Sequence, residues 1–196
     1  MSAKRATRDW IGLGGLLALA FAAQGAPSAE AFEFSADRIF RDGGKVVRAR
    51  VYARDDRWRF EYAEPQAGAM VTIVRADHQL AWHLLSKRRV FLEVPLAPDH
   101  LLLVSEKMEG ELSRDLIGVQ DLNGYPCELF EVSVLVSGQV VRYYQWVTKV
   151  ERFSIKTVRK QGDWSVEYQK VRFEKQSARL FEPPYGFSRD TPLTAR

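Results

Sequence analysis

Cysteine is nearly absent from this 196-residue sequence, which has only Cys127. A single cysteine cannot form a disulfide within the chain, so the fold has to be stable without cross-links. No cysteine lies near the N-terminus that could be acylated, and we therefore do not expect a lipoprotein. Cys127 directly follows Pro126 in a predicted strand, with no histidine close in sequence. We predict a buried, unreactive thiol.

Histidine is also scarce, and none of the three residues is placed as a catalytic base or a metal ligand would be. His78 lies in a predicted turn, His83 on the polar side of a predicted strand, and His100 at the start of a possible helix. Their spacings match no zinc motif, so we interpret all three as surface residues. The glutamates are scattered without a paired acid and base. We therefore predict a protein that is not an enzyme, with no catalytic residue, metal or cofactor.

Neither sign of charge dominates, because 29 basic and 25 acidic side chains give a formal net charge of +4. Proteins that read nucleic acids usually carry much stronger basic patches, and we predict no nucleic-acid partner. A row of arginines does alternate along the predicted strands. It is typical of a solvated face, with contact to an anionic membrane surface as the alternative. The row comprises Arg48, Arg50, Arg54, Arg57 and Arg59, followed later by Lys87, Arg88 and Arg89.

The sequence lacks an apolar run of the roughly 20 residues that a membrane-spanning helix needs. The uncharged stretch from Trp10 to Ala23 is shorter, follows a basic N-terminus and precedes small residues. This arrangement is typical of a secretory signal peptide. We predict a cleavable signal over residues 1–31, cut after Ala31, and a single exported domain over residues 32–196. A cut near Ala23-Gln24-Gly25 and an uncleaved N-terminal anchor are the alternatives.

The rest of the sequence consists of short segments in which apolar and polar residues alternate, separated by turn residues. A period of two is the pattern of half-buried β-strands. Asn123-Gly124, between two apolar runs, predicts a two-residue hairpin turn. Pro98 to Met108 is the one stretch with a helical period. The proline-rich segment from Leu180 to Phe187 predicts a packed closing segment. About nine or ten strands in succession predict a mainly β fold, either a bent antiparallel sheet or partly closed barrel, or a two-sheet sandwich.

One set of apolar residues recurs at alternate positions of consecutive predicted strands, so we expect its members to share one face of the sheet. Arg48, Arg50, Arg59 and Glu61 occupy the intervening positions and are expected on the opposite face. The apolar set comprises Val47, Val51, Trp58, Phe60, Leu80, Trp82 and Leu84.

Motifs spread over most of residues 32–196 resemble the LolA- and LolB-like superfamily of periplasmic lipoprotein carriers, and most closely its outer-membrane lipoprotein-sorting branch. The most specific motif is Leu116-Ile117-Gly118 followed by Leu122-Asn123-Gly124-Tyr125-Pro126-Cys127-Glu128. The other motifs are Phe34-Ser35-Ala36-Asp37, Val51-Tyr52, Arg57-Trp58-Arg59-Phe60-Glu61, Ile73-Val74-Arg75-Ala76-Asp77, Ala81-Trp82, Val90-Phe91-Leu92-Glu93-Val94-Pro95, Tyr144-Gln145-Trp146, Ser154-Ile155-Lys156-Thr157, Trp164-Ser165-Val166-Glu167-Tyr168 and Leu180-Phe181-Glu182-Pro183.

The resemblance implies an unclosed β-barrel whose apolar concave side is capped by short helices and holds acyl chains. It implies a periplasmic protein that binds or carries a lipid or a lipoprotein acyl chain, with the apolar set as the lining of its cavity. The alternative is a sensor or interaction module of the cell envelope that uses the same fold to bind another protein. Neither reading involves catalysis.

Overall fold

The computed structural model describes residues 33–190 of the protein, with the side chain of Pro98 left out. The predicted signal peptide and its cleavage site lie outside the described residues, as do Phe32 and residues 191–196. Within residues 33–190, no helix combines the length and the apolar character that crossing a membrane requires.

A single sheet of 12 strands joins the described residues. The predicted fold class, a mainly β antiparallel and unclosed sheet, is confirmed, although the strands are more numerous than the nine or ten expected. The one parallel pair joins the short last strand to β6. The strands are β1 (Phe34–Asp42), β2 (Lys45–Arg54), β3 (Arg57–Gln66), β4 (Ala69–Arg75), β5 (Leu80–Leu85), β6 (Val90–Pro95), β7 (Glu111–Leu122), β8 (Tyr125–Val136), β9 (Gln139–Thr148), β10 (Ser154–Arg159), β11 (Trp164–Phe173) and β12 (Ser188–Arg189).

Tight turns between neighbouring strands account for most of this topology. Asn123 and Gly124 have φ values of 55° and 85° and join β7 to β8. Two successive positive φ angles are what a two-residue hairpin turn requires, and Asn-Gly adopts them at little cost. The predicted hairpin is therefore confirmed.

The strand order is β12-β6-β5-β4-β3-β2-β1-β11-β10-β9-β8-β7. The sheet does not close, because its two edge strands, β12 and β7, do not pair with each other. The chain leaves β6 near one edge and re-enters the sheet as β7 at the other edge. Residues 96–110, the crossing segment, make this connection. They cross one face of the sheet, which we call the inner face, and Leu96 and Leu101 to Val104 pack against its apolar residues.

The predicted helix from Pro98 to Met108 is wrong. Only Pro98–His100 forms a 3-10 turn, and residues 101–104 follow without regular structure. The physical reason is reach: a helix advances about 1.5 Å per residue, whereas extended chain covers about 3.3 Å. A segment of this length crosses a broad sheet only when it is mostly extended. Helical structure within residues 33–190 is otherwise limited to the 3-10 turns Ala76–His78 and Ala178–Phe181.

The opposite, outer face carries a smaller apolar cluster over β4, β5 and β6. Residues 177–189, the C-terminal strap, cover this cluster with Leu180, Phe181 and Phe187. The strap ends in β12, which adds to the edge of the sheet beside β6. The closing segment predicted from the sequence is therefore confirmed as packed against the sheet.

Candidate functional site

Strand register brings four of the seven predicted site residues together on the inner face. Val51 lies opposite Phe60, and Trp58, two residues before Phe60, lies on the same side of β3. Val47 is two full alternations from Val51 on β2 and points the same way. All four side chains are buried.

The other three predicted residues, Leu80, Trp82 and Leu84, are on the outer face, so the expected single face is wrong. Trp82 pairs with Ile73 and Leu84 with Val71, whereas the inner-face positions of β5 are Ala81 and His83. The physical reason lies in β4, which is apolar on both faces. Because Val71 to Val74 show no alternation of polarity, the sequence does not reveal which phase of β5 continues the inner face.

Leu80, Trp82 and Leu84 belong to the region that the C-terminal strap covers. Leu84 forms the outer cluster with Ile73 and Phe181. The Trp82 indole packs edge-on against Phe91 and donates to the Glu93 carboxylate at 3.2 Å. These contacts give the outer cluster an ordinary structural role.

The crossing segment contacts the inner face through few backbone hydrogen bonds. The Trp58 indole donates to the carbonyl of His100 at 2.6 Å, and the Ser154 amide donates to the carbonyl of Val104 at 2.8 Å. The Leu103 amide lies 3.4 Å from the Tyr168 hydroxyl. Leu101 to Val104 are only half-buried, although they cover fully buried residues of the sheet.

A group of charged residues fixes the far end of the crossing segment. Arg152 donates to both Glu106 and Glu128, and the hydrogen bonds from Arg152 hold the pKa of Glu106 below its ordinary value. Arg114 donates to Glu111 and to Gln145 at 2.8 Å. This end of the crossing segment is therefore held by ion pairs and hydrogen bonds, and the leucine-rich part before it is held mainly by apolar packing.

Arg38 is a buried cation on the inner face that the sequence-based site does not include. It is only 6% exposed and lies opposite Ala49, between Ala36 and Phe40 on β1. Its guanidinium carbon is 4.9 Å from the Phe40 ring centroid and 5.2 Å from that of Phe60. The signal was present in the sequence, because Phe34, Ala36, Arg38 and Phe40 alternate and place one charge at an apolar position.

Two of the three histidines predicted at the surface also lie against the inner face. His100 is buried, and its ring centroid is 5.3 Å from that of His83. The Nδ1 atom of His83 lies 2.9 Å from the Thr72 hydroxyl, and the Nδ1 atom of His100 accepts the Ala97 amide at 3.1 Å. Burial, with the charge of His100, lowers the pKa of His83. The surface interpretation is wrong for His100, because the extended crossing segment carries it onto the sheet.

No arrangement for metal or nucleophilic chemistry is present in the part of the chain that the structure describes. Residues 33–190 contain no group of three histidine, cysteine or acidic side chains that could hold a metal ion. Cys127 is fully buried, as predicted, and burial raises the pKa of its thiol. The thiolate needed for nucleophilic attack is therefore disfavoured.

The first part of the predicted arginine row, Arg48 to Arg59, lies along the outer side of β2 and β3 and is largely neutralised, whereas Lys87, Arg88 and Arg89 lie in the turn between β5 and β6. Arg50 pairs with Asp37 at 3.0 Å, Arg57 with Asp55 at 3.2 Å and Arg59 with Glu61 at 2.8 Å. Paired guanidinium groups have less charge to offer a membrane surface. This row is therefore a weaker candidate for membrane contact than its sequence indicates.

Comparison with solved structures identifies the same fold in MucB. One MucB structure aligns with a TM-score of 0.55 and 11% identity, over 81% of this chain and 60% of that chain. MucB in complex with MucA(peri) gives a TM-score of 0.52 at 11% identity, over 79% of this chain and 55% of that chain. This chain thus spans little more than half the length of the MucB chains it matches.

A putative outer membrane lipoprotein-sorting protein domain from Vibrio parahaemolyticus is also among the similar structures. It aligns with a TM-score of 0.39 and 10% identity, over 77% of this chain and 89% of that chain. No protein-family profile and no curated protein sequence matches the chain. The chain has the unclosed antiparallel sheet of a LolA-like fold, as the sequence resemblance implied, and the MucB structures share this fold.

Proposed function

We propose that this protein is exported to the periplasm and binds an acyl chain of a lipid or lipoprotein between the inner face and the crossing segment. Val47, Val51, Trp58 and Phe60 form part of the proposed apolar lining, and the Leu101–Val104 stretch forms its cover. The observation that carries the proposal is the nature of this cover. A broad apolar face is covered by one irregular, half-buried stretch of chain, where a sandwich would have a second sheet.

The apolar burial of the cover residues and that of an acyl chain contribute free energies of similar order. An acyl chain can therefore replace the cover side chains on the inner face. Fully burying a leucine or valine side chain contributes about 1.5–3 kcal/mol, and the four cover residues are half-buried, so together they contribute on the order of 3–6 kcal/mol. Each buried methylene of an acyl chain contributes about 0.8 kcal/mol, and a long chain on the order of 10 kcal/mol before association costs. A ligand that takes the place of these side chains therefore loses little of the apolar burial.

A photoreactive fatty acid tests the position of the ligand without any substitution. After irradiation and proteolysis, we expect labelled peptides from β2, β3 and residues 101–104. Peptides of the outer cluster, including Phe91 and the C-terminal strap, serve as the internal control and are expected to remain unlabelled. Saturable labelling confined to the outer face, or no saturable labelling, would contradict the proposal.

A second candidate function, binding of another protein, is favoured by the edge strand β7. This strand ends the sheet, so one side of its backbone has no neighbouring strand in the described structure. Its side chains include an unusual number of exposed apolar residues, namely Leu112, Leu116, Ile117 and Val119. Such an edge can accept an extended segment of a partner as an additional strand. A MucB structure in complex with MucA(peri) shows that a protein of similar fold binds a protein partner.

Native mass spectrometry of the protein recovered from the periplasm, combined with amide hydrogen exchange, tests this second function. A stoichiometric polypeptide that protects the β7 amides would support it. Ile117→Lys is expected to remove that partner, while Tyr185→Lys, on the distant and fully exposed end of the strap, leaves it bound. Protection elsewhere with unchanged exchange in β7 would contradict it.

A further inference from the structure

Arg38 has no acidic partner, although it is one of the most deeply buried charged side chains of the inner face. Among residues 33–190, no carboxylate forms an ion pair with its guanidinium, and its Nε atom is buried without a hydrogen-bond partner. Arg75, the other buried arginine among the described residues, pairs with Asp77 and Glu182. Charged groups in protein interiors are usually paired, because the loss of hydration is costly.

The surroundings of Arg38 hold the cation without neutralising it. The rings of Phe40 and Phe60 contact it, and a cation–π contact offers only partial compensation for lost hydration. The phenols of Tyr62 and Tyr168 are close enough for the charge of Arg38 to oppose part of the increase in pKa that burial causes in each. The acid whose charge also reaches Tyr62 is Asp99, which is exposed and does not pair with Arg38.

We propose that Arg38 binds the anionic head of the ligand, and that the ligand is an amphiphile with a terminal carboxylate, such as a free long-chain fatty acid. This inference rests on the proposed acyl-chain function and specifies its ligand. A planar guanidinium binds a carboxylate through two parallel hydrogen bonds, and such charge-assisted bonds are strongest where water is excluded. The two phenols are further donors for the carboxylate oxygens.

The position of Arg38 implies that the ligand enters head first. β1 is near the middle of the 12-strand order, so the cation is far from both edges of the sheet. The apolar residues Val51 and Phe60 lie on the neighbouring strands of the same face, along which the chain can extend. A small carboxylate fits between aromatic rings better than a bulky phospholipid headgroup does, because the shell around Arg38 is formed by large side chains.

A displacement assay with a fluorescent acyl probe tests the assignment on the unmodified protein. Hexadecanoate is compared with hexadecanol and methyl hexadecanoate, which have the same chain without the charge, and with monohexadecyl phosphate. We expect hexadecanoate to bind roughly 10- to 100-fold more tightly than the alcohol, the range associated with hydrogen bonds to charged groups. Tighter binding of the phosphate than of the carboxylate would overturn the carboxylate assignment in favour of a phosphate head.

Arg38→Met tests the residue, with Arg48→Met as the matched control. Arg48 lies on the outer side of β2, is exposed and has no ion pair among the described residues. In Arg38→Met we expect the preference for hexadecanoate to disappear while hexadecanol binds as before, and in Arg48→Met we expect the preference to remain. Because the substitution removes an unpaired buried charge, Arg38→Met is expected to melt at or above the temperature of the parent.

The outcomes separate this inference from the function on which it rests. Equal binding of acid and alcohol by the parent protein overturns the role of Arg38 and leaves acyl-chain binding intact. Persistence of the preference in a folded Arg38→Met variant overturns it as well. Absence of saturable binding for every amphiphile overturns the proposed function itself. If Arg38→Met does not fold, the comparison of the four amphiphiles on the parent still decides whether a charged head is recognised.

Discussion

The two faces of the sheet carry apolar clusters of comparable chemistry, but their covers differ in how they are held. The C-terminal strap is tied to the outer face by a short parallel strand and by the ion pair between Glu182 and Arg75. The leucine-rich part of the crossing segment contacts the inner face mainly through side-chain packing. Apolar packing is exchangeable for a ligand of the same chemistry, whereas backbone pairing is not. Under the proposed function, this difference distinguishes a permanent cover on the outer face from a replaceable one on the inner face.

The largest expected effect comes from fixing the inner cover in place. Val104 and Ser154 are neighbours, because the Ser154 amide donates to the Val104 carbonyl at 2.8 Å. In a Cys127→Ser background, a disulfide between Val104→Cys and Ser154→Cys is expected to abolish binding of the acyl probe, and dithiothreitol is expected to restore it.

The matched control is a disulfide on the outer cover, between Val90→Cys and Ser188→Cys, which pair in register. This cross-link is expected to leave probe binding unchanged in both redox states. If the two disulfides have the same effect on binding, the distinction between the covers is wrong.

The next effect concerns the strength of the outer cover. Phe181 is the fully buried residue of the strap, so Phe181→Ala is expected to lower the free energy of unfolding by about 3–5 kcal/mol. Tyr185→Ala, four residues along the same strap, removes a fully exposed ring and is expected to change it by less than about 0.5 kcal/mol. Urea denaturation measures both variants. Similar small changes in the two would indicate that the strap does not stabilise the sheet.

A smaller effect is expected at Cys127, which belongs to the inner cluster. Cys127→Ser is expected to cost about 1–2 kcal/mol for the buried hydroxyl. The Tyr125 carbonyl, 3.2 Å from the sulfur, offers the hydroxyl an acceptor and favours the lower end of that range. Denaturation and probe titration of the variant check that stability changes slightly and binding does not. Loss of binding in a folded Cys127→Ser variant would instead implicate the thiol in function.

The smallest effect is a pH dependence at the charged end of the crossing segment. Hydrogen bonds from Arg152 lower the pKa of Glu106, so the folded carboxylate stays ionised to lower pH than the unfolded one. Its contribution is therefore complete above the ordinary pKa of 4.5 and is lost as the pH falls through the lower, folded value. Because the pair is partly exposed, we expect less than about 1 kcal/mol.

Amide hydrogen exchange of residues 105–110 at neutral pH and at about pH 3.5 measures this effect, since that interval spans the titration of a carboxylate. After correction for the slower intrinsic exchange of amides in acid, we expect lower protection factors at the acidic pH in the parent protein. Glu106→Gln, which has no charge to lose, is expected to show a smaller change between the two conditions. An equal change in both proteins would place the pH dependence elsewhere.

Local features of the fold were predictable because short-range chemistry determines them. The Asn123-Gly124 hairpin follows from two positive φ angles, and the buried thiol of Cys127 from its place in an apolar strand. The helix predicted from Pro98 failed for the opposite reason. Its periodicity is local, but the distance that the segment has to cover is set by the width of the whole sheet.

The alternation within each strand follows from the local sequence alone, and so does the set of side chains that point the same way. Which alternating set faces the crossing segment depends on the tertiary fold. Trp58 and Trp82 look equivalent in the sequence, yet the strand register places them on opposite faces. The sequence does not reveal this difference, because β4 is apolar on both sides. Arg38 illustrates the same limit, since a charge at an apolar position becomes an unpaired buried cation only once twelve strands and a crossing segment surround it. Register and long-range packing depend on the whole chain, and a pattern of period two does not encode them.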